Sequence, residues 1–161
     1  MMKERTLRVL EFTRIREMLA EGTLTEAGAE KCRALEPYCD LPEAAAAQAE
    51  TEEAAVILQY SGGHPMIAFP DIRPALAICE KGGSLGAGML LSVAELLRAS
   101  RAARDALVTD RENTPVLKAK AEGLFTARNI EKDITDAIIS EDEISDRASS
   151  ALFNIRRHAV Y

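Results

Sequence analysis

Few residues in this chain carry the groups that catalysis or metal binding needs, and their spacing withholds most of that chemistry. His64 and His158 are the only histidines. Neither stands at helical spacing from another ligand type, so a metal site is not expected. Cys32, Cys39 and Cys79 fit no metal-ligand pattern. A Cys79–His64 pair lacks the orienting partner that nucleophilic catalysis uses. Glu52/Glu53 and Asp142/Glu143 are paired acids, but they are expected on exposed faces and turns, where nothing moves a pKa. GGSLGAG, residues 82–88, places glycines before a helix, as phosphate-cradling loops do. A P-loop also needs Lys and Ser/Thr directly after its last glycine, and a strand before it. Here Met89 and Leu90 follow and a helix precedes, so the stretch reads as a flexible helix–helix link. No catalytic, cofactor-binding or metal-binding residue is assigned. What remains is positive charge. Arg98, Arg101, Arg156 and Arg157 are the candidate contacts to nucleic-acid phosphate, with Arg104 near the first two. Arginines of this kind are more often simply solvated.

Composition sets the frame. The chain has 161 residues, 47% hydrophobic and 29% charged, which suits one globular domain. Aromatics make up 4% and Trp is absent, so a core of Leu, Ile, Val and Ala favours helix-on-helix packing. The net charge of −6 arises in the first half. No Lys or Arg lies between Arg33 and Arg73, so that half is a poor platform for a phosphate backbone. An odd number of cysteines without a signal peptide predicts reduced thiols and a cytoplasmic location. No apolar run approaches a membrane span.

The elements follow from apolar spacing and its punctuation. The stretch Ser61–Leu76, SGGHPMIAFPDIRPAL, organises the chain. Gly62 and Gly63 are expected to end one long helix, and Met66, Ile67 and Phe69 to plug the gap between helices. Asp71 is expected to cap the next helix, from Ile72, with Pro74 in its first turn. Ahead of this, TLRVLEF predicts an extended lead-in and a helix to about Glu21, with Phe12, Ile15 and Leu19 as its buried stripe. A second helix is predicted from about Leu24 to Leu35. Gly28 within it costs roughly 1 kcal/mol against Ala, so a close backbone contact there is expected. Asp40, Pro42 and Glu43 signal a helix to about Tyr60, with Glu50, Glu52 and Glu53 expected to face solvent or a basic partner, solvent being the usual case.

In the second half, Met89, Val93, Leu96, Ser100, Ala103 and Leu107 predict a bundle seam along a helix over 89–108. Thr114 and Pro115 open a short helix that Gly123 stops. Ile130, Ile134, Ala137 and Ile138 predict another buried stripe. IISEDEI reads as a small hairpin or a tight reversal near 138–145. Ser145 or Asp146 is expected to cap a final helix with its seam at Ala148, Leu152, Ile155 and Ala159. That helix runs to Tyr161 with no stop signal, which suggests a piece of a longer protein. The fold class expected is all-α, a multi-helix bundle with at most one small β-hairpin, as a single helical domain over 1–161.

TLRVLEFTRIREMLAE, TLTEAGAEKCRALEPYCDLPEA, ETEEAAVIL, FPDIRPAL, EDEISDRAS and LFNIRR together resemble the N-terminal region of the second bacterial MutS paralogue, the MutS-two family. The resemblance runs from Thr6 to Arg157. It implies the helical core, or lever, domain of the MutS architecture. The last helix, about 146–161, would be the truncated start of the lever arm. It also implies a parent protein with a returning arm, a clamp, an ATPase domain using ATP and Mg, and a C-terminal Smr nuclease domain. Such parents are associated with ATP-dependent binding of branched DNA, suppression of recombination, endonuclease activity and stalled ribosomes, and are expected to be homodimers. No Walker A motif occurs here, so no ATP-binding residue carries over. SEDE at 140–143 replaces an expected glycine, so the hairpin is expected to be distorted.

Three functions follow. The first is a non-catalytic mechanical domain that couples ATPase movement to the clamp. The second is a nucleic-acid-binding module using the four arginines. The third is a free-standing helical interaction or dimerisation protein. For the mechanical reading, the partners are the remainder of the same polypeptide, with DNA or the ribosome reached through the parent, and no membrane.

Overall fold

A computed structural model describes residues 4–61, 64–108 and 113–159. The expected helix exit at Gly62 and Gly63 lies outside these residues. Among the described residues the chain is all-α apart from one two-stranded antiparallel sheet, as its composition implied. It divides into two compact units.

The first unit draws on Met1–Ala68 and Ala102–Leu124. The lead-in is not extended. It forms α1, Glu4–Val9, and Glu11 then turns the chain in a left-handed conformation, φ 50°. Few non-glycine residues adopt that backbone without cost. α2, Phe12–Glu21, packs on α3, Glu26–Arg33, through Ala20 and Ala29. The expected stripe is corrected: Ile15 and Leu19 are 46% and 49% exposed, because the small Ala20 brings α2 close to α3 on another face. The Arg16 guanidinium lies 5.6 Å from the centre of the Phe12 ring, and Arg33 joins Glu17 of α2 to Glu26. Thr25 caps α3, its hydroxyl oxygen accepting from the Gly28 N–H at 3.1 Å. The close neighbour at Gly28 is a side chain rather than the backbone expected: a Cβ there would sit 3.1 Å from Thr25 Oγ1.

α4, Leu41–Ser61, begins as its start signal implied, with Asp40 accepting from the Glu43 N–H. One of its acids departs from expectation: Glu53 is buried, 8% exposed. Its carboxylate accepts from the Val116 and Leu117 N–H groups at 3.1 and 2.8 Å, in the first turn of Pro115–Glu122. Thr114 is the expected N-cap by position and is buried, but its side chain makes no capping bond. Glu53 supplies that bond from α4 instead. Lys120 also pairs with Glu50, and Ala121 is 1% exposed.

The second unit draws on Phe69–Arg101 and Phe125–Tyr161. α5, Arg73–Glu80, has Pro74 in its first turn. Its N-cap is Ile72 rather than Asp71, which accepts from the Arg73 N–H and pairs with the Arg73 guanidinium. Phe69 and Met66 are half-buried, whereas Ile67 is 38% exposed. The helix ends on Gly82 at φ 74°. The Gly82 N–H donates to the Cys79 carbonyl and the Gly83 N–H to that of Ile78, both at 2.9 Å. This is the two-bond glycine exit from a helix, and it accounts for the first two glycines of GGSLGAG.

α6, Ala87–Leu107, contributes its residues up to Arg101 to this unit and the rest to the first. Its buried positions are Ala94, Leu97 and Ala99. The expected seam is therefore rotated: Val93, Leu96 and Ser100 are half-buried and Met89 is exposed. Alanines allow close approach, so the alanine row rather than the bulky one lies deepest. We number Pro115–Glu122 α7 and Arg128–Ala137 α8. α8 leads straight into β1, Ile138–Ser140, which pairs with β2, Glu143–Ile144. Ile138 is buried, but Ile130, expected in the same stripe, is 44% exposed. The expected hairpin is present, and its register is irregular between Ile138 and Ser140. Glu141 at its turn reaches Gly88 in the first turn of α6, where a Cβ would lie 3.1 Å from that side chain.

α9, Ser150–Ala159, starts later than expected. Ser145 closes a local turn with the Arg147 N–H, and it is Ser149 that accepts from the Leu152 N–H at 3.1 Å. Of the expected seam, Leu152 is half-buried and Ile155 is 65% exposed.

Candidate functional site

A paired polar arrangement in the second unit joins α6 to α8. Arg98 and Arg101 stand three residues apart on α6, close to one helical turn. On α8, Arg128, Glu131, Lys132 and Thr135 recur at the spacing of a single face, opposite in character to the apolar row of Ile130 and Ile134. Arg101 meets Glu131 side-on: Nε donates to Oε2 at 3.1 Å and Nη2 to Oε1 at 2.8 Å. Two parallel bonds from a planar fork fix orientation as well as distance. The pair is partly withdrawn from water, its side chains 29% and 15% exposed.

The electrostatics follow from that geometry. The Arg101 hydrogen bond holds the Glu131 carboxyl below its usual range, against the opposing effect of burial. The charges of Arg101, Arg98 and Arg128 push in the same direction. Beside the pair lies a shallow cleft of about 310 Å³, lined by Arg101, Arg128, Glu131, Lys132 and Thr135. The Thr135 hydroxyl is turned back on its own helix, donating to the Glu131 and Lys132 carbonyls. Chemically the cleft presents several cations around one carboxylate.

Of the four arginines marked by sequence, Arg98 and Arg101 both act on Glu131. Arg156 and Arg157 lie on α9. Arg156 donates to the Ile144 carbonyl at 2.9 Å and pairs with Asp146, tying α9 to the hairpin. Arg157 is exposed. Sequence reasoning missed Glu131, Arg128 and Lys132. The signal available was their recurrence on one polar face of α8, which the search for buried stripes passed over.

His64 Nδ1 accepts from the Met66 N–H at 3.2 Å, closing a turn. Cys32, Cys39 and Cys79 are free thiols. Among the described residues no group of three His, Cys, Asp or Glu side chains could hold a metal, and no helix is long and apolar enough to cross a membrane.

No protein-family model matches the chain. Curated relatives do. The chain is 40% identical over 158 residues to "Endonuclease MutS2" of Clostridium botulinum (strain 657 / Type Ba4). It is 41% identical to the protein of that name from Clostridium novyi (strain NT), and 39% to that from Clostridium beijerinckii, each again over 158 residues. These alignments cover 97% of the chain, which spans 20% of the length of the relatives. The likeness to the MutS-two family thus extends over nearly every residue of the chain.

Proposed function

We propose that this chain, related over nearly its whole length to the MutS2 proteins, is a non-catalytic structural segment of a MutS-like protein. Its helices carry movement between an ATPase domain and a DNA-gripping clamp that other parts of the polypeptide supply. ATP and Mg are bound elsewhere in that polypeptide, which acts as a homodimer. Branched DNA or the ribosome is met through the parent, in suppression of recombination or rescue of stalled ribosomes, and any cleavage is done by another domain.

The observation that supports this reading is the balance of the surface. Among the described residues most of the buried apolar side chains are alanine, while Val9, Leu41, Phe125 and Ile155 are 75%, 82%, 71% and 65% exposed. Large apolar side chains left in water favour further packing, and the rest of a parent polypeptide provides it. Amide hydrogen exchange tests the idea. In a full-length MutS2-type protein carrying this segment, α9 should be protected relative to the 161-residue chain, and its protection should change when nucleotide binds. Equal exchange in all three states would sink the mechanical reading.

The cleft between α6 and α8 favours a second reading, a nucleic-acid-binding module. Phosphate contacts make affinity fall steeply with salt. A titration of the chain with labelled oligonucleotide should show that slope, and no binding at the lowest salt would dismiss the reading.

A further inference from the structure

The hairpin stands where three helices meet. β1 continues α8 without a break, and its first residue, Ile138, is buried. Just after β2, the Ser145 N–H donates to the Ala137 carbonyl at 2.9 Å and closes the base of the hairpin on the end of α8. At the turn, Glu141 lies over Gly88 in the first turn of α6. From α9, Arg156 reaches back to the Ile144 carbonyl and to Asp146. We propose that this hairpin is a two-ended clasp: Glu141 holds the start of α6, Arg156 holds α9, and the clasp sets the direction in which α9 leaves the hairpin. The inference deepens the mechanical reading above and rests on it for its use, since the clasp would be the joint through which a movement of α9 reaches α6.

α9 has little apolar packing to orient it. Over residues 150–158 only Leu152 is half-buried, and Phe153 and Ile155 are 48% and 65% exposed. A helix held by packing buries a whole stripe of its surface. An exposed ion pair alone contributes little, because both side chains can rotate away. The Ile144 carbonyl is different. It belongs to a paired strand, so it is fixed in place, and its bond to a guanidinium is charge-assisted. Arg156 therefore grips one fixed and one adjustable acceptor, at 12 and 10 residues' separation along the chain.

The other end works through the α6 backbone. N–H groups in the first turn of a helix have no partner within it, and negative charge is favoured there. α6 has no acid of its own in that turn. Gly88 leaves room for one from outside: the Glu141 carboxylate would stand 3.1 Å from a Cβ at that position. An acidic side chain of the hairpin thus takes the place that the sequence of α6 leaves without one.

The experiment uses the whole 161-residue chain with Cys32→Ser, Cys39→Ser and Cys79→Ser, and nitroxide labels on Lys132→Cys and Asn154→Cys, both exposed positions. Pulsed electron-spin distances then read the spread of α9 relative to α8. Arg156→Ala should broaden that distribution, and amide exchange in α9 should rise about fivefold, the scale of a good exposed ion pair. Arg157→Ala removes the same charge from the next residue of the same helix and should do neither. Glu141→Ala leaves Arg156 and both its acceptors in place, yet it should broaden the distribution too, because a loosened hairpin carries α9 with it.

Equal widths and equal exchange for the parent, Arg156→Ala and Arg157→Ala overturn the clasp and leave Leu152 to seat α9. Broadening by Arg156→Ala without broadening by Glu141→Ala overturns the α6 end, and the clasp is then not two-ended. Neither result touches the mechanical reading, which stands or falls on nucleotide-dependent exchange of α9 in the full-length protein. A clasp that behaves as stated beside an α9 indifferent to nucleotide would end that reading and leave the clasp intact.

Discussion

Glu53 and Leu117, far apart in sequence, meet where the Leu117 N–H donates to the Glu53 carboxylate at 2.8 Å. The other carboxylate oxygen takes the Val116 N–H at 3.1 Å, so one buried side chain of α4 caps the start of α7. Negative charge is favoured at a helix N-terminus, and the two N–H groups have no partner within their own helix. Glu53→Ala leaves both unsatisfied and should cost about 2–4 kcal/mol in urea unfolding. Glu52→Ala, at an exposed neighbour on the same helix, should change stability by less than about 0.5 kcal/mol.

The Arg101–Glu131 pair makes a prediction about acid. The folded protein holds the Glu131 pKa down, so folding favours the ionised form. The pair's contribution is complete above the pKa that glutamate has in the unfolded chain. It is lost as pH falls through the lower folded value. Glu131→Gln should remove that part of the acid limb: its stability should lie below the parent's near neutral pH, and the two should converge as pH drops. Urea midpoints measured across pH 2–7 would show whether the curves close up.

At the exit of α5, Gly82 holds φ 74° and no atom crowds the position a Cβ would take. The cost of a side chain there is conformational rather than steric. Gly82→Ala should therefore destabilise by about 1 kcal/mol. A stability equal to the parent's would mean that the exit can be rebuilt without a left-handed residue.

The deepest large side chain of α6 is Leu97, 7% exposed, while Leu96 beside it is half-buried. Leu97→Ala should cost about 2–4 kcal/mol, and Leu96→Ala distinctly less. Equal losses in thermal or urea melts would restore the seam that periodicity alone suggests.

Helix existence was legible because its signals are local. Asp40, Pro42, Pro74, Pro115 and Gly123 mark boundaries through backbone chemistry that needs no tertiary contact, and each stands at or within a turn of the helix end it marks. The hairpin showed in its apolar pairs around an acidic turn. Which face is buried was less legible. Periodicity ranks Ile15, Leu19 and Met89 as core, but the close approach of alanines turned those helices. The candidate site was half visible. Arg98 and Arg101 stood out as charges on a helix, whereas Glu131 joins them only through a contact spanning thirty residues. The buried position of Glu53 was equally hidden, since nothing in EAAVIL distinguishes it from Glu52.

A core of Ala20, Ala29, Ala75, Ala94, Ala99 and Ala121 makes the chain's tolerance to sequence drift one-sided. Alanine has almost nothing to truncate, so shrinking substitutions at these points are scarce, and glycine is the only smaller choice. Enlargement is the hazardous direction, since one added branch forces two backbones apart. This architecture is held to methyl-sized residues at six interior points, none of which carries a functional group.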